Sequence, residues 1–381
     1  MLRGIKRKSP FRKASRNTGE RPGTSSQPRI LGPWMLLSGG KATFWQSIGA
    51  MKTSCRLPVE IAGLGSYLPE RVLSNHDLER MVDTTDDWII QRTGIVERRM
   101  AAPGEATSDL AVKAARGALR EAGVVPASVD AVIVCTCTPD YLFPATACLV
   151  QTALGADNAV CYDLEAACSG FVFGLLQAAS LVVSGVVENA LVVGADTLSR
   201  FTDYTDRRTC ILFGDGAGAA LVRASRRGSE LLFCELGGDG SRPDILLIPA
   251  GGSRIPASRK SLERRDHFMK LNGREVFKWA VNKLGDLIVR IPEETGIGLD
   301  EIKLIIPHQS NSRIIRSLCE RAGIPFEKAY MNIDRIGNTS AASIPIALHE
   351  VTEQGLVQRG DLVLLLAFGG GITWGSALLR Y

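Results

Sequence analysis

The chain runs to 381 residues, enough to enclose a large enzyme core of two or three layers, and is 45% hydrophobic and 6% aromatic, an ordinary globular balance. Its net charge of +5 misleads: residues 1–50 hold ten Lys or Arg (3, 6, 7, 8, 12, 13, 16, 21, 29 and 41) against one acid, Glu20, and taking these from the totals of 45 and 40 leaves residues 51–381 with 35 basic and 39 acidic residues, a net of −4. Composition therefore gives nucleic-acid binding no support, and no apolar run reaches the length of a membrane span.

Residues 1–50 are rich in Arg, Ser, Gly and Pro and lack periodicity up to Trp34. An Arg-rich, acid-poor leader fits an organellar transit peptide, a disordered tail, or a misplaced start codon. Met51 directly precedes the first strand-like run, Val59 to Gly65, and is favoured as the start of the folded body. Nine cysteines (55, 135, 137, 148, 161, 168, 210, 234 and 319), an odd number lying mostly in apolar runs, argue for reduced thiols in a cytosol-like compartment. Cys135 and Cys137 have the wrong spacing for a zinc site or a C-x-x-C redox motif and read as strand residues, so no metal is expected there.

After Val59–Gly65, a helical segment spans Asp109 to Ala122, a break falls at Val124-Val125-Pro126, and Ala131–Cys135 reads as a strand buried on both faces. Asn158–Tyr162 is the next strand-like run and Phe171–Ala179 the next helix, with Cys168 at the corner between them. Leu191–Ala195 is a further strand. Phe213-Gly214-Asp215-Gly216-Ala217-Gly218 superficially suggests a dinucleotide loop, but the strand-like Ala220-Leu221-Val222 follows where a helix is required, and NAD is discounted.

The same events recur downstream. A long helix from Phe277 to about Thr295 precedes the strand Lys303–Ile306, His308 and the helix Ser312–Arg321. Tyr330–Ile333 leads to the loop Gly337-Asn338-Thr339-Ser340, the helix Ala342–Glu353, the strand Leu362–Leu366 and Gly369-Gly370-Gly371. Alternating strands and helices predict parallel sheets covered by helices, in two similar halves, 51–225 and 226–381. Aligning the halves makes the corners of Cys168 and Asn338 equivalent, as well as the strand-end loops of Cys137 and His308. Loops at strand C-terminal ends would then converge on one site.

A cysteine at a helix N-terminus faces partial positive charge, which favours the thiolate and suits it to acyl transfer; a small buried hydrophobe is the alternative role. Of the four histidines, His76 and His267 lie in charged, loop-like surroundings and His349 beside Glu350 on a helix, reading as surface, whereas His308 follows an apolar strand. A structural strand-end residue is the other reading of His308, and a helix-capping turn that of Asn338. Together they offer two neutral donors for a developing oxyanion, and glycines 369–371 allow a close backbone approach that pairs their N–H groups with that of Cys168.

The runs Asp83–Ile95, Ala166-Ala167-Cys168-Ser169-Gly170-Phe171, Phe213–Ala219, Pro307–Asn311, Gly337–Ser340 and Phe368–Ser376 occur in this order between about residue 57 and Tyr381, and with them the chain resembles the β-ketoacyl-acyl-carrier-protein synthase III family, the condensing enzymes that start type II fatty acid synthesis. The resemblance implies a thiolase-like α/β fold of two similar halves layered α-β-α-β-α, working as a homodimer in the cytoplasm, or in a plastid if residues 1–50 are a transit peptide. It implies an acyl group, usually acetyl, passed from CoA to Cys168, then decarboxylation of malonyl-acyl-carrier protein and attack of its carbanion on the thioester, with no cofactor. His308 and Asn338 would stabilise the enolate, and the Gly370 and Cys168 N–H groups the acyl-transfer oxyanion.

The same resemblance gives CoA contacts to Thr84, Trp88, Arg92, Arg207, Gly273 and Asn311, carrier-protein docking to Arg313, and to Phe143 a place across the dimer in the acyl pocket, which it shares with Leu212. Arg316 and Arg321 are spaced to join Arg313 in a basic patch, or to form an ordinary solvated helix face. Arg208 and Ser312 depart from the family, which commonly has Gly and a larger apolar residue there. Other readings of the same residues are an acyltransferase without decarboxylation, a cysteine hydrolase, which would want a carboxylate where Asn338 stands, and a scaffold without catalysis.

Overall fold

The computed structural model describes residues 50–53, backbone only, and 56–381 except 227. The leader, its transit-peptide reading and Cys55 lie outside these. The first described element, the strand Ala50–Thr53, pairs antiparallel with Glu230–Gly238.

Two five-stranded sheets form the frame. One has the order Val59–Tyr67, Asp215–Ala224, Asn189–Thr197, Ala131–Cys135, Val160–Leu164. The other runs Ala50–Thr53, Glu230–Gly238, Thr373–Arg380, Leu362–Gly369, Leu304–Pro307. From Glu230–Gly238 onward, the second sheet repeats the connection order of the first.

The sheets are mixed, which corrects the parallel expectation. Ala131–Cys135 is parallel to both its neighbours, and Leu304–Pro307 to Leu362–Gly369, whereas Asp215–Ala224 and Thr373–Arg380 run antiparallel to theirs. The Gly-rich run after Phe213 is thus a strand and not a phosphate loop. Tyr330–Ile333 forms no strand either. Ala329 makes a single bridge to Ile305, and the Gln309 side chain takes the Tyr330 carbonyl (3.0 Å) and the Asn332 N–H (3.2 Å), groups a ladder would otherwise use.

Helices Gly170–Val183 and Ser343–Glu353 lie between the sheets. Their sequences are apolar on most faces, as a doubly covered helix requires, and Phe171, Ala178, Ile346 and Leu348 are fully buried. Thr107–Ala122 and Thr146–Leu154 cover the outer face of the first sheet, Gly273–Thr295 and Ser312–Ala322 that of the second, giving five layers. The central packing is close: a Cβ on Gly194 would lie 2.3 Å from the Ala341 carbonyl oxygen. Such contact holds the loops leaving the two sheets against each other, and these loops carry Cys168 and Asn338.

Candidate active site

Cys168 lies in the single helical turn Ala167–Ser169, ahead of the helix starting at Gly170, and is 9% exposed. The corner is tight because Ala167 takes φ +46°, a left-handed backbone that L residues rarely adopt. The Thr373 hydroxyl fastens it to the opposite sheet by donating to the Ala166 carbonyl at 2.9 Å. Gly369 comes so close that a Cβ there would be 2.7 Å from the Cys168 nitrogen. Gly370 and Gly371 (φ +68°) line the same cavity as Cys168, which brings the glycine run beside the thiol as the sequence predicts.

The helix N-terminus does not make Cys168 a resting thiolate. Burial pushes its thiol up to about 12, helped by the carboxylates of Asp196 and Glu165 and opposed by the Ser340 hydroxyl. Desolvation of a full charge outweighs the helix-end dipole, whose effect is typically about 1 kcal/mol.

His308 is 2% exposed and follows its strand directly, its N–H bonded to the Leu366 carbonyl at 2.7 Å. Nδ1 lies 2.7 Å from the Ser343 hydroxyl, and the Gln309 N–H donates to that same oxygen at 3.4 Å. The pattern assigns the hydroxyl proton to Nδ1 and the ring proton to Nε2. Nε2 is buried without a partner, and burial lowers the imidazole to about 3. His308 is thus a neutral ring with its donor face unspent.

Asn338 is 6% exposed and clamped through its backbone: its N–H donates to the Leu212 carbonyl and its carbonyl accepts from Gly214 N–H, each at 2.9 Å. Its Oδ1 accepts the Ser340 N–H at 2.9 Å, which leaves Nδ2 free of hydrogen bonds among the described residues. The Phe213-Gly214 run therefore serves as a clamp for Asn338.

Several supporting residues escaped sequence reasoning. Ser340, at φ +52°, lines the cavity with Cys168, has its hydroxyl 3.7 Å from Cys137 Sγ, and lowers the pKa of both the Cys168 thiol and the Asp196 carboxyl. Fully buried Asp196 accepts at Oδ1 from Thr136 Oγ1 (2.9 Å), Cys137 N (2.9 Å) and Thr138 Oγ1 (2.8 Å), and at Oδ2 from Ala341 N (3.3 Å), tying the Cys137 loop to the Asn338 loop. Buried Arg98 donates to Asn75 Oδ1 (2.7 Å) and to the Ile211 carbonyl (2.5 Å), propping the clamp. Asp196 ending an apolar strand was the one local clue; these partners are distant in sequence.

The cavity beside Cys168 has a volume of about 290 Å³ and is lined by Leu198, Phe213, Leu246, Leu247, Ile248 and Met269, with Cys137, Glu165 and Ser340 near the sulfur. Leu212 does not line it, because its carbonyl holds Asn338 and its side chain packs beside Trp88 and Phe213. Phe143 does not line it within one chain: it is 86% exposed, next to Leu142 at 82%.

At the rim, Trp88 is half-buried, with the guanidinium carbons of Arg92 and Arg207 5.4 and 5.1 Å from its ring centre. Arg207 also donates to the Asp83 carbonyl at 2.8 Å, and the hydroxyl of the adjacent Thr84 is buried without a partner. Arg208 turns aside into a two-point pair with Asp206. Asn311 is spent on capping, since its Oδ1 accepts from Arg313 N–H and its Nδ2 donates to the Arg92 carbonyl at 3.0 Å. Ser312 packs against Gly94, where a Cβ would meet its hydroxyl at 2.5 Å. Gly273 is exposed at the start of its helix, with open space where a Cβ would stand. Arg313 lies over Phe277 and Arg316 over Phe326, while Arg321 is paired with Asp286 at 2.8 Å. Of the other histidines, His76 is exposed, and His349 is half-buried against Ser66.

A buried thiol at a strained corner, two neutral donors from the partner loops and a five-layer α/β frame define a thiolase-like condensing enzyme. Residues 162–240 match the family of 3-oxoacyl-[acyl-carrier-protein] synthase III, and residues 293–381 its C-terminal part. The chain is 50% identical over 321 residues to the β-ketoacyl-[acyl-carrier-protein] synthase III of Roseiflexus castenholzii, covering 84% of this chain and 97% of that protein. Against the enzyme of that name from Caldanaerobacter subterraneus it is 48% identical over 326 residues, covering 86% and 98%. The 3-oxoacyl-[acyl-carrier-protein] synthase III structure from Aquifex aeolicus superposes with a TM-score of 0.78 at 46% identity, covering 85% of this chain and all of that one. The chain belongs to the β-ketoacyl-acyl-carrier-protein synthase III family, and is an acyltransferase of the condensing type that initiates fatty acid synthesis.

Proposed function

We propose that the chain condenses an acyl-CoA primer, usually acetyl-CoA, with malonyl-acyl-carrier protein to give 3-oxoacyl-acyl-carrier protein, through an acyl group held on Cys168. The observation that carries this reading is the pair of unspent neutral donors, His308 Nε2 and Asn338 Nδ2: Ser343 holds His308 from the helix that follows the Asn338 turn, and that turn packs against the one carrying Cys168.

In the first half-reaction the Cys168 sulfur attacks the thioester carbonyl of acyl-CoA. Its C–S bond to CoA breaks, and the proton lost from Cys168 ends on the departing CoA sulfur. Because the resting thiol is pushed up to about 12, deprotonation accompanies attack and does not precede it. The N–H groups of Cys168 and Gly370 hold the oxyanion. In the second half-reaction malonyl-acyl-carrier protein loses CO₂, and the electron pair of the broken C–C bond passes into an enolate. His308 and Asn338 donate to that oxygen. Neutral donors suit it, since a carboxylate in either position would repel the developing charge. The enolate carbon attacks the acyl-Cys168 thioester, and the cysteine leaves as a thiolate that takes one proton from solvent to restore the resting thiol. Both steps are heterolytic, so the reading assigns no metal or redox cofactor.

The rim residues Thr84, Trp88, Arg92, Arg207 and Gly273 take the CoA moiety, the arginines and Trp88 offering flat surfaces for a base. Asn311 acts there by holding the Arg92 segment. Arg313 and Arg316, without ion pairs among the described residues, meet an acidic carrier protein despite the body's net −4. A homodimer with Phe143 entering the partner's acyl cavity accounts for the exposed Tyr141-Leu142-Phe143 tip. No described helix is long and apolar enough to cross a membrane, and the cytoplasm is the assigned location. The two halves are 51–225 and 226–381, with the strand Ala50–Thr53 joining the sheet of the second.

The test is release of CO₂ and 3-oxoacyl product from acetyl-CoA and malonyl-acyl-carrier protein. Acyl transfer to the carrier without CO₂ would instead assign the non-decarboxylating acyltransferase. A similarity of 35% identity, TM-score 0.77, to a structure titled as the priming β-ketosynthase of the R1128 polyketide pathway leaves the destination of the product as the second question.

A further inference from the structure

Among the side chains lining the cavity beside Cys168, Glu165 alone carries a charge. The mechanism makes no use of it. Its Oε1 accepts the N–H of Ala167 at 2.9 Å, so the strained residue that sets the corner for Cys168 also fixes this carboxylate. It stands open to solvent on the cavity side, and desolvation by the surrounding protein, with a contribution from Asp196, raises its carboxyl above the ordinary value. Its field reaches both cavity thiols, Cys168 and Cys137. The rest of the wall is Leu, Ile, Phe, Met and Gly with the thiols and Ser340, and no Lys or Arg lies among the lining residues.

Size does not select the acyl group strongly here. In the chain alone the cavity holds about 290 Å³, and Phe143 of a second copy entering it would take the same share from a butyryl as from a succinyl group. The two differ only in a terminal methyl or carboxylate. An incoming carboxylate meets apolar walls, a fixed carboxylate at the corner and a second one, Asp196, behind it, with no cation to receive it.

We infer that Glu165 is a charge filter for the primer, admitting neutral acyl groups to the cavity and turning away those that end in a carboxylate. The inference rests on the acyl-Cys168 reading above and deepens it by naming the class of primer.

The experiment follows the mass of the intact protein during exposure to butyryl-CoA or succinyl-CoA, whose CoA parts are identical and cancel in the comparison. The variant Glu165→Gln keeps an oxygen for the Ala167 N–H and removes the charge; Glu165→Ala repeats the comparison if the Gln form folds poorly. The expected result is a rise of at least tenfold in the succinyl-to-butyryl ratio of acylation rates on loss of the charge. A ratio unchanged in a folded variant overturns the filter, because the apolar wall alone would then account for exclusion. If acetyl-CoA fails to add mass at Cys168 of the unaltered chain, it is the acyl-enzyme reading that fails.

Discussion

The turn carrying Cys168 and the turn carrying Asn338 are built alike and fixed differently. Each has a non-glycine residue in the left-handed region, Ala167 at φ +46° and Ser340 at φ +52°, and each precedes one of the two helices between the sheets. Asn338 is gripped on three sides: both its backbone groups are paired with the 212–214 strand entry and its side-chain oxygen is taken by Ser340. The Cys168 turn is held by Thr373 and Glu165, through the two residues that precede the nucleophile. The thiol must change partners during a turnover; the amide only has to wait in place. Preorganised donors cost nothing to reorient when charge develops, which is where most transition-state stabilisation arises.

The sharpest way to break this contrast is to remove the waiting donors. Asn338→Ala or His308→Ala should lower decarboxylation of malonyl-acyl-carrier protein by about 10² to 10³-fold, the usual effect of losing one oxyanion donor, while Cys168 still takes acyl from CoA. Full condensation by either variant would return Asn338 to a simple turn and His308 to a strand-end residue.

Next in size is the anchor between the turns. Asp196→Ala leaves Thr136, Cys137, Thr138 and Ala341 donors unsatisfied in a buried place, and a stability loss of roughly 3 kcal/mol or more is expected by denaturant unfolding. A loss under about 1 kcal/mol would mean the turns are held without it.

His308 gives a pH test with a definite sign. Its folded value, about 3, lies below the ordinary 6.5, because burial opposes the charged ring. Below 6.5 the unfolded chain binds the extra proton, so this residue's share of stability is complete above 6.5 and declines as the pH falls toward about 3, on the order of 4 kcal/mol in all. His308→Ala should flatten that part of the slope. For the same reason decarboxylation should show no limb near pH 6.5; a limb there would make His308 a titrating base.

The smallest effect belongs to the link between the turns and the sulfur. Ser340→Ala removes a hydroxyl that eases ionisation of Cys168, and acylation should slow by roughly threefold to tenfold, the worth of one hydrogen bond.

The corner positions of Cys168, His308 and Asn338 were legible in the sequence because each closes an apolar strand or opens a helix, and strand ends converge in layered α/β folds. The helical runs 312–321 and 342–353 are recovered almost to the residue. The mixed sheets were not legible, since an antiparallel neighbour such as Thr373–Arg380, buried from Trp374 to Leu379, lacks the polar and apolar alternation that would mark it out. Nor was the high value of the Cys168 thiol: the helix end is visible in sequence, but burial and the carboxylates of Asp196 and Glu165 act through space. The rim was harder still. Trp88, Arg92 and Arg207 meet across more than a hundred residues, and Asn311 turns out to be occupied as a cap.

The central claim is a division of labour: Cys168 carries the acyl group and Asn338 serves only the decarboxylation. It is tested most directly by the intact mass of Asn338→Ala after acetyl-CoA and then malonyl-acyl-carrier protein are supplied. The acetyl adduct on Cys168 should form and persist, with no CO₂ released and no 3-oxoacyl product. An adduct that disappears into product as fast as in the unaltered chain, or one that never forms, would contradict it.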